Sequence, residues 1–111
     1  MGMPEHPHLT DLEQLLLLAV LRLGEGAYGA AIQADLEDGA SRSVSLGSIH
    51  VTMARLAERG LAASTKGAPK GVRGGKARRM YSVTAAGRRA LERSRKMMER
   101  MWEGVPSTGG S

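Results

Sequence analysis

The chain has 111 residues and a mass of 11.8 kDa, of which 41% is hydrophobic; that suffices for one small domain with a modest core and is too little for a multi-domain enzyme. It contains no cysteine, which removes disulfide frameworks, thiolate zinc sites and cysteine nucleophiles and points to a reducing, cytoplasmic setting. The net charge of +5 is unevenly spread: residues 1–40 carry seven acidic groups and one basic group, net −6, whereas residues 41–111 carry fifteen basic and four acidic groups, net +11. A basic pole of that size in so small a chain implies a polyanionic partner such as nucleic acid.

In chain order, residues 1–8 contain Pro4 and Pro7 and no apolar periodicity, which predicts a mobile arm. A first helix is capped by Thr10, with Glu13 three residues on to close a capping box, and ends at Gly24. Its leucines fall on more than one face, so it is either central or shared with another subunit. The apolar run at 15–21 is far below the ~18 residues of a membrane span, and the acidic Asp11 and Glu13 precede it where a signal peptide would be basic. No membrane partner is expected.

A second helix fits 28–38, with Ala31, Ile32 and Leu36 inward and Gly39 closing it. The third begins after Ser45, a good N-cap, and stops at Gly60, a residue type suited to the left-handed position past a helix end. On this third helix Leu46, Ile49, Met53 and Leu56 share the inward stripe. Extended segments follow at 61–66 and 79–83, the second with Tyr81 and Val83 on one face. Between them the glycine-rich stretch 67–78 forms the long tip of a hairpin. Thr84 then caps a last helix to about Glu103, and the tail 104–111 is expected to be disordered.

The outer arc of the third helix carries Gly47, Ser48, Val51, Ala54, Arg55 and Glu58, with His50 on its flank. Small and hydrogen-bonding residues suit a helix that enters a major groove ~12 Å wide, although an ordinary solvated helix would look much the same. The hairpin tips the balance. Lys66, Lys70, Arg73, Lys76, Arg78 and Arg79 place six cations in fourteen residues with no acid among them, a pattern that follows phosphates better than it follows water. A helix-turn-helix followed by a basic hairpin is a winged helix-turn-helix, so the expected fold class is mainly α with a small β-hairpin (α+β). Ser45, Gly47, Ser48, His50, Val51 and Arg55 are the expected groove-facing residues.

In the last helix Gly87, Leu91, Ser94, Met98 and Met101 step by four and three, a coiled-coil spacing held for only two heptads. Such a helix must dock on its own domain, on a copy of itself, or on both. A C2 homodimer is favoured, with Leu15, Leu91, Ser94, Met98, Met101 and Trp102 at the interface. A ligand pocket there, lined by Leu15, Met98, Met101 and Trp102, would suit a small apolar or cationic effector. The expected organisation is an arm at 1–8, a DNA-binding domain at 9–83, a dimerisation helix at 84–103 and a tail at 104–111.

Three strings carry a resemblance: residues 29–36; Leu46-Gly47-Ser48-Ile49-His50 with Arg55-Leu56 and Gly60-Leu61; and residues 74–87. Their order and spacing over residues 9–102 resemble the PadR family of bacterial transcriptional regulators. That resemblance implies a winged helix-turn-helix, a homodimer through the C-terminal helix and, usually, repression relieved by a small molecule. The short C-terminus resembles the compact branch with one dimerisation helix. His50 departs from the tyrosine that many members carry there. Residues 46–50 and the 67–75 loop resemble members encoded beside permease genes.

Other readings are weaker. Gly24-Glu25-Gly26-Ala27-Tyr28-Gly29 matches a dinucleotide fingerprint in letters but follows a helix rather than a strand, and lacks the later acid. His6 and His8 are too few for a metal site, so neither metal nor cofactor is expected, and an enzyme is improbable without convergent catalytic groups. A non-specific RNA-binding protein is the alternative, disfavoured by one Trp, two Tyr and no Phe for base stacking. A pure protein-interaction module would leave the basic loop unexplained.

Overall fold

The computed structural model describes residues 8–67 and 78–107. In order it contains helix α1 (Asp11–Leu23), a 3-10 turn (Gly24–Gly26), α2 (Gly29–Ala40), α3 (Leu46–Glu58), strands β1 (Ala62–Gly67) and β2 (Arg78–Val83), and α4 (Ala85–Trp102). The strands pair antiparallel, with Ser64 opposite Tyr81 and Lys66 opposite Arg79. An isolated bridge between Tyr28 and Met80, and the Tyr81 amide donating to the Ala27 carbonyl at 2.9 Å, fasten the hairpin to the segment before α2.

Each helix starts as its sequence predicts. The Thr10 hydroxyl accepts from the Glu13 amide at 3.1 Å while the Glu13 carboxylate accepts from the Thr10 amide at 2.9 Å, so the box satisfies two otherwise orphaned donors. Ser45 caps α3 by accepting from the Ser48 amide, and Thr84 caps α4 by accepting from the Gly87 amide. Gly24 and Gly60 take positive φ, 61° and 79°. The end of α2 differs: the helix runs past Gly39 to Ala40, and the left-handed residue is Ser41, at φ 52°. Gln33 holds the turn that follows by donating to the Val44 carbonyl at 2.8 Å.

Leu16, Leu17, Ile32, Ile49, Met53, Leu56 and Leu61 are fully buried and form one core between α1, α2 and α3. Leu46, expected in the stripe, is 42% exposed because the first turn of α3 overhangs the core. Arg22 on α1 donates to both oxygens of Asp35 on α2, at 3.0 and 3.2 Å; the hydrogen bond first, and then the charge, raise the guanidinium pKa further. Arg59, just past α3, donates to Glu13 at 3.2 Å and to the His8 carbonyl at 2.9 Å, tying the end of α3 to the start of α1.

Among the described glycines, Gly87, near the start of α4, leaves the least room for a side chain. A Cβ there would penetrate the Leu61 carbonyl oxygen and lie 2.8 Å from Val83 Cγ1. The Thr84 hydroxyl donates to the Gly60 carbonyl at 2.7 Å, and the Thr84 amide to the Leu61 carbonyl at 3.2 Å, so α4 is pressed directly onto the α3–β1 turn. Gly87→Ala must therefore move backbone rather than a flexible side chain. A loss of about 2–3 kcal/mol is expected from overpacking, measured by urea denaturation; a change below about 0.5 kcal/mol, the range of ordinary surface substitutions, would show that the contact is dispensable.

Candidate nucleic-acid interface

With Ile49, Met53 and Leu56 committed to the core, the opposite arc of α3 is bare. Gly47, Ser48, Val51, Ala54, Arg55 and Glu58 are all exposed, Val51 by 51%. Beyond its chain neighbours and the helix backbone, an added Cβ at Gly47 would meet nothing among the described residues nearer than Ser45 Oγ at 4.0 Å. Internal packing thus does not require glycine here, and the bare backbone is open to close approach from outside.

His50 lies between this arc and the hairpin. Its Nδ1 is 2.5 Å from the Tyr81 hydroxyl, and the far edge of its ring, Cε1 and Nε2, lies 3.0 Å from where a Cβ on Gly29 would stand. Gly29, at the start of α2, leaves the space that the imidazole occupies. The Arg78 guanidinium carbon sits 4.4 Å from the centre of the Tyr28 ring, a cation–π contact that holds the charge beside the same spot. Tyr28, Gly29, Ala30, Leu46, His50, Arg78 and Arg79 together line an open groove of about 450 Å³. The sequence singled out His50, Arg78 and Arg79, but not Tyr28, Gly29 or the Tyr81 hydroxyl, because the pairing joins residues 31 positions apart.

The hairpin cations face one another. Lys66 is directly opposite Arg79, an arrangement that destabilises an isolated sheet; Arg79 donates to Ser64 Oγ at 3.2 Å and makes no ion pair among the described residues. Lys66, Arg78 and Arg79 are exposed. Lys70, Arg73 and Lys76 lie outside the described residues.

The residues expected at a dimer interface divide along α4. Leu91 is buried against its own domain and Ser94 half-buried, whereas Met98, Met101 and Trp102 are 54%, 70% and 65% exposed. Met98 borders a groove with Leu9, Gln14, Arg93, Lys96 and Arg100; Leu15 borders a separate one with Leu18, Ala19 and Leu36. Within one chain Leu15 and Met98 therefore border different grooves.

The chain matches the transcriptional regulator PadR-like family over residues 17–93. It belongs to that family. Its fold is similar to a PadR-like transcription factor from Bacteroides fragilis at TM-score 0.68, with 21% identity over 85% of this chain and 86% of that one. A PadR family regulator from Eggerthella lenta is similar at TM-score 0.65, with 28% identity over 83% and 78% of the two chains, and a PadR-like regulator from Bacillus cereus at 0.62, with 24% identity over 79% and 82%. No curated protein matches the chain. The PadR assignment makes the helices and hairpin above a winged helix fold and the chain a DNA-binding regulator, and no described helix is long and apolar enough to cross a membrane.

In this PadR-family chain the Tyr81 phenol is buried, which raises its pKa, while the nearby Arg79 charge pulls the other way. The folded state therefore prefers the neutral phenol, and the unfolded chain ionises first, near pH 10. This contribution to stability is whole below about pH 10 and declines as pH rises through the folded pKa. Denaturation midpoints between pH 8 and 11 should fall at the alkaline end, and Tyr81→Phe should flatten that fall; an equally steep fall in the variant would place its origin elsewhere.

Proposed function

We propose that the chain is a cytoplasmic transcriptional repressor that binds a palindromic operator as a homodimer and is released by a small-molecule effector. The observation that carries the reading is the bare, small-residue arc of α3 beside a hairpin whose cations lie opposite each other without acids. Such an arrangement costs stability in the free protein and is offset when phosphates neutralise it. Ser48, Val51 and Arg55, with Ser45 and Gly47 at the helix start, would face base edges, and His50 on the flank together with Lys66, Lys70, Arg73, Lys76, Arg78 and Arg79 the flanking phosphates.

The dimer follows from α4. Met97, Met98, Met101 and Trp102 continue the apolar face that Ala90 and Leu91 begin, yet among the described residues they stay 48%, 54%, 70% and 65% exposed. A second copy would bury that face and Leu18 of α1, and a two-fold axis would set two α3 helices against two half-sites. On this reading residues 9–83 are the DNA-binding unit and 84–103 the dimerisation helix. An effector would enter against Met97 and Met98, where Arg93, Lys96 and Arg100 make an apolar compound a better fit than a cationic one.

Fluorescence anisotropy on a duplex from upstream of the protein's own gene and on a shuffled duplex tests the reading. Ser48→Ala and Arg55→Ala should reduce the preference for the first duplex by roughly tenfold, and Arg73→Ala should weaken both duplexes equally and lower the salt slope by about one. Equal losses on both duplexes for the α3 variants would remove that helix from the major groove. Trp102→Ala should shift a dimer toward monomer at micromolar concentration in sedimentation, and an unchanged profile would move the interface away from α4.

A further inference from the structure

We propose that the groove between the start of α2, the flank of α3 and the start of β2 seats one backbone phosphate of the bound duplex, with His50 Nε2 as its hydrogen-bond donor, Arg78 as its charge, and Tyr81 as the residue that positions the imidazole. The inference rests on the DNA-binding reading and assigns one contact within it.

Proton placement supports the donor role. The Tyr81 side chain is buried, and among the described residues His50 Nδ1 is the one acceptor within reach of its hydroxyl. If the ring nitrogen donated instead, the phenol proton would have no protein acceptor among the described residues, which disfavours that tautomer in this part-buried contact. The phenol therefore donates to Nδ1, and the ring proton resides on Nε2. An imidazolium carries a proton on both nitrogens, so Nε2 is a donor whatever the charge of the ring. Among the described residues that nitrogen has no partner, and it lies at the edge of the ring that abuts Gly29.

The surroundings suit an anion. The groove lining of Tyr28, Gly29, Ala30, Leu46, His50, Arg78 and Arg79 holds two arginines and no carboxylate. Arg78 is restrained by the Tyr28 ring, which lowers the ordering cost of using its charge. The groove adjoins the exposed arc of α3 and the cationic hairpin, so a strand of a duplex lying on α3 would cross it. A phosphate oxygen accepts from imidazole and guanidinium donors irrespective of base sequence, which separates this contact from those assigned to Ser48 and Arg55.

The test uses the full chain and the two duplexes named above. His50→Ala should weaken binding to both duplexes by roughly tenfold, leaving their ratio unchanged, and His50→Gln, which keeps a donor, should recover much of the loss. Tyr81→Phe should weaken both by about three- to tenfold with the salt slope intact, and should add nothing in the His50→Ala background. Arg78→Ala should lower the salt slope by about one. In ¹⁵N spectra the His50 Nδ1 of the wild type should carry the signature of an unprotonated, accepting nitrogen, and Tyr81→Phe should abolish that bias. Gly29→Ala, which crowds the ring without touching the phenol, gives an independent variant should Tyr81→Phe fold poorly, and it should weaken both duplexes as well.

Wild-type protein that binds neither duplex would overturn the DNA-binding reading itself. Wild-type binding that His50→Ala and Tyr81→Phe leave unchanged would overturn this inference alone. A loss confined to the upstream duplex would make His50 a reader of bases and would exclude a seated backbone phosphate.

Discussion

The approach of Gly87 to the Leu61 carbonyl is the constraint on which the rest of the molecule depends. Four elements meet there: the end of α3, the start of β1, the end of β2 and the start of α4. The Thr84 side chain bridges them by donating to the Gly60 carbonyl while accepting from the Gly87 amide. Because α4 leaves the domain from this point, its direction is fixed relative to α3 by backbone contacts rather than by flexible side chains. In a dimer built on α4, the separation of the two α3 helices would inherit that rigidity, which is what matching two half-sites demands.

A second theme is that stability and binding make opposite demands on the same residues. Lys66 opposite Arg79, and the bare Gly47 backbone, do nothing for the isolated chain. The core is correspondingly simple: among the described residues it buries no charged side chain, Tyr81 brings its one hydroxyl, and its ion pairs, such as Arg22 with Asp35 and Arg59 with Glu13, lie at the surface where each is worth little. Their use is orientation, since both tie one helix to another. The apolar interior holds the fold, which leaves the polar chemistry of α3 and the hairpin available to a partner.

The split character of α4 has a similar logic. Its first turns, at Gly87, Ala90 and Leu91, complete the domain, while its later turns present methionines and a tryptophan to solvent. Polarisable, unbranched methionine tolerates varied partners, so one surface can serve a subunit interface and a small ligand together.

Local features were legible in the sequence because they depend on residues a few positions apart: the Thr10–Glu13 box, the Ser45 and Thr84 caps, the glycines past α1 and α3, the hairpin, and the cationic character of residues 66–79. The strings at 29–36, 46–61 and 74–87 also sufficed to show the family resemblance. Failures occurred at particular positions. Gly39 looked like a helix stop, but the helix runs to Ala40 and closes at Ser41, where the Ser41 and Arg42 amides both donate to the Leu36 carbonyl. Leu46 shares the periodicity of the buried stripe, yet overhangs the core. Composition and periodicity by themselves determined the fold class, the order of elements and the basic character of the partner-facing side, because charge and hydrophobic pattern act locally. Only the tertiary structure decided that Tyr81 reaches His50, that Gly29 makes room for the imidazole and that Gly87 admits the Leu61 carbonyl, because each contact joins segments that the chain brings together only after its core has formed.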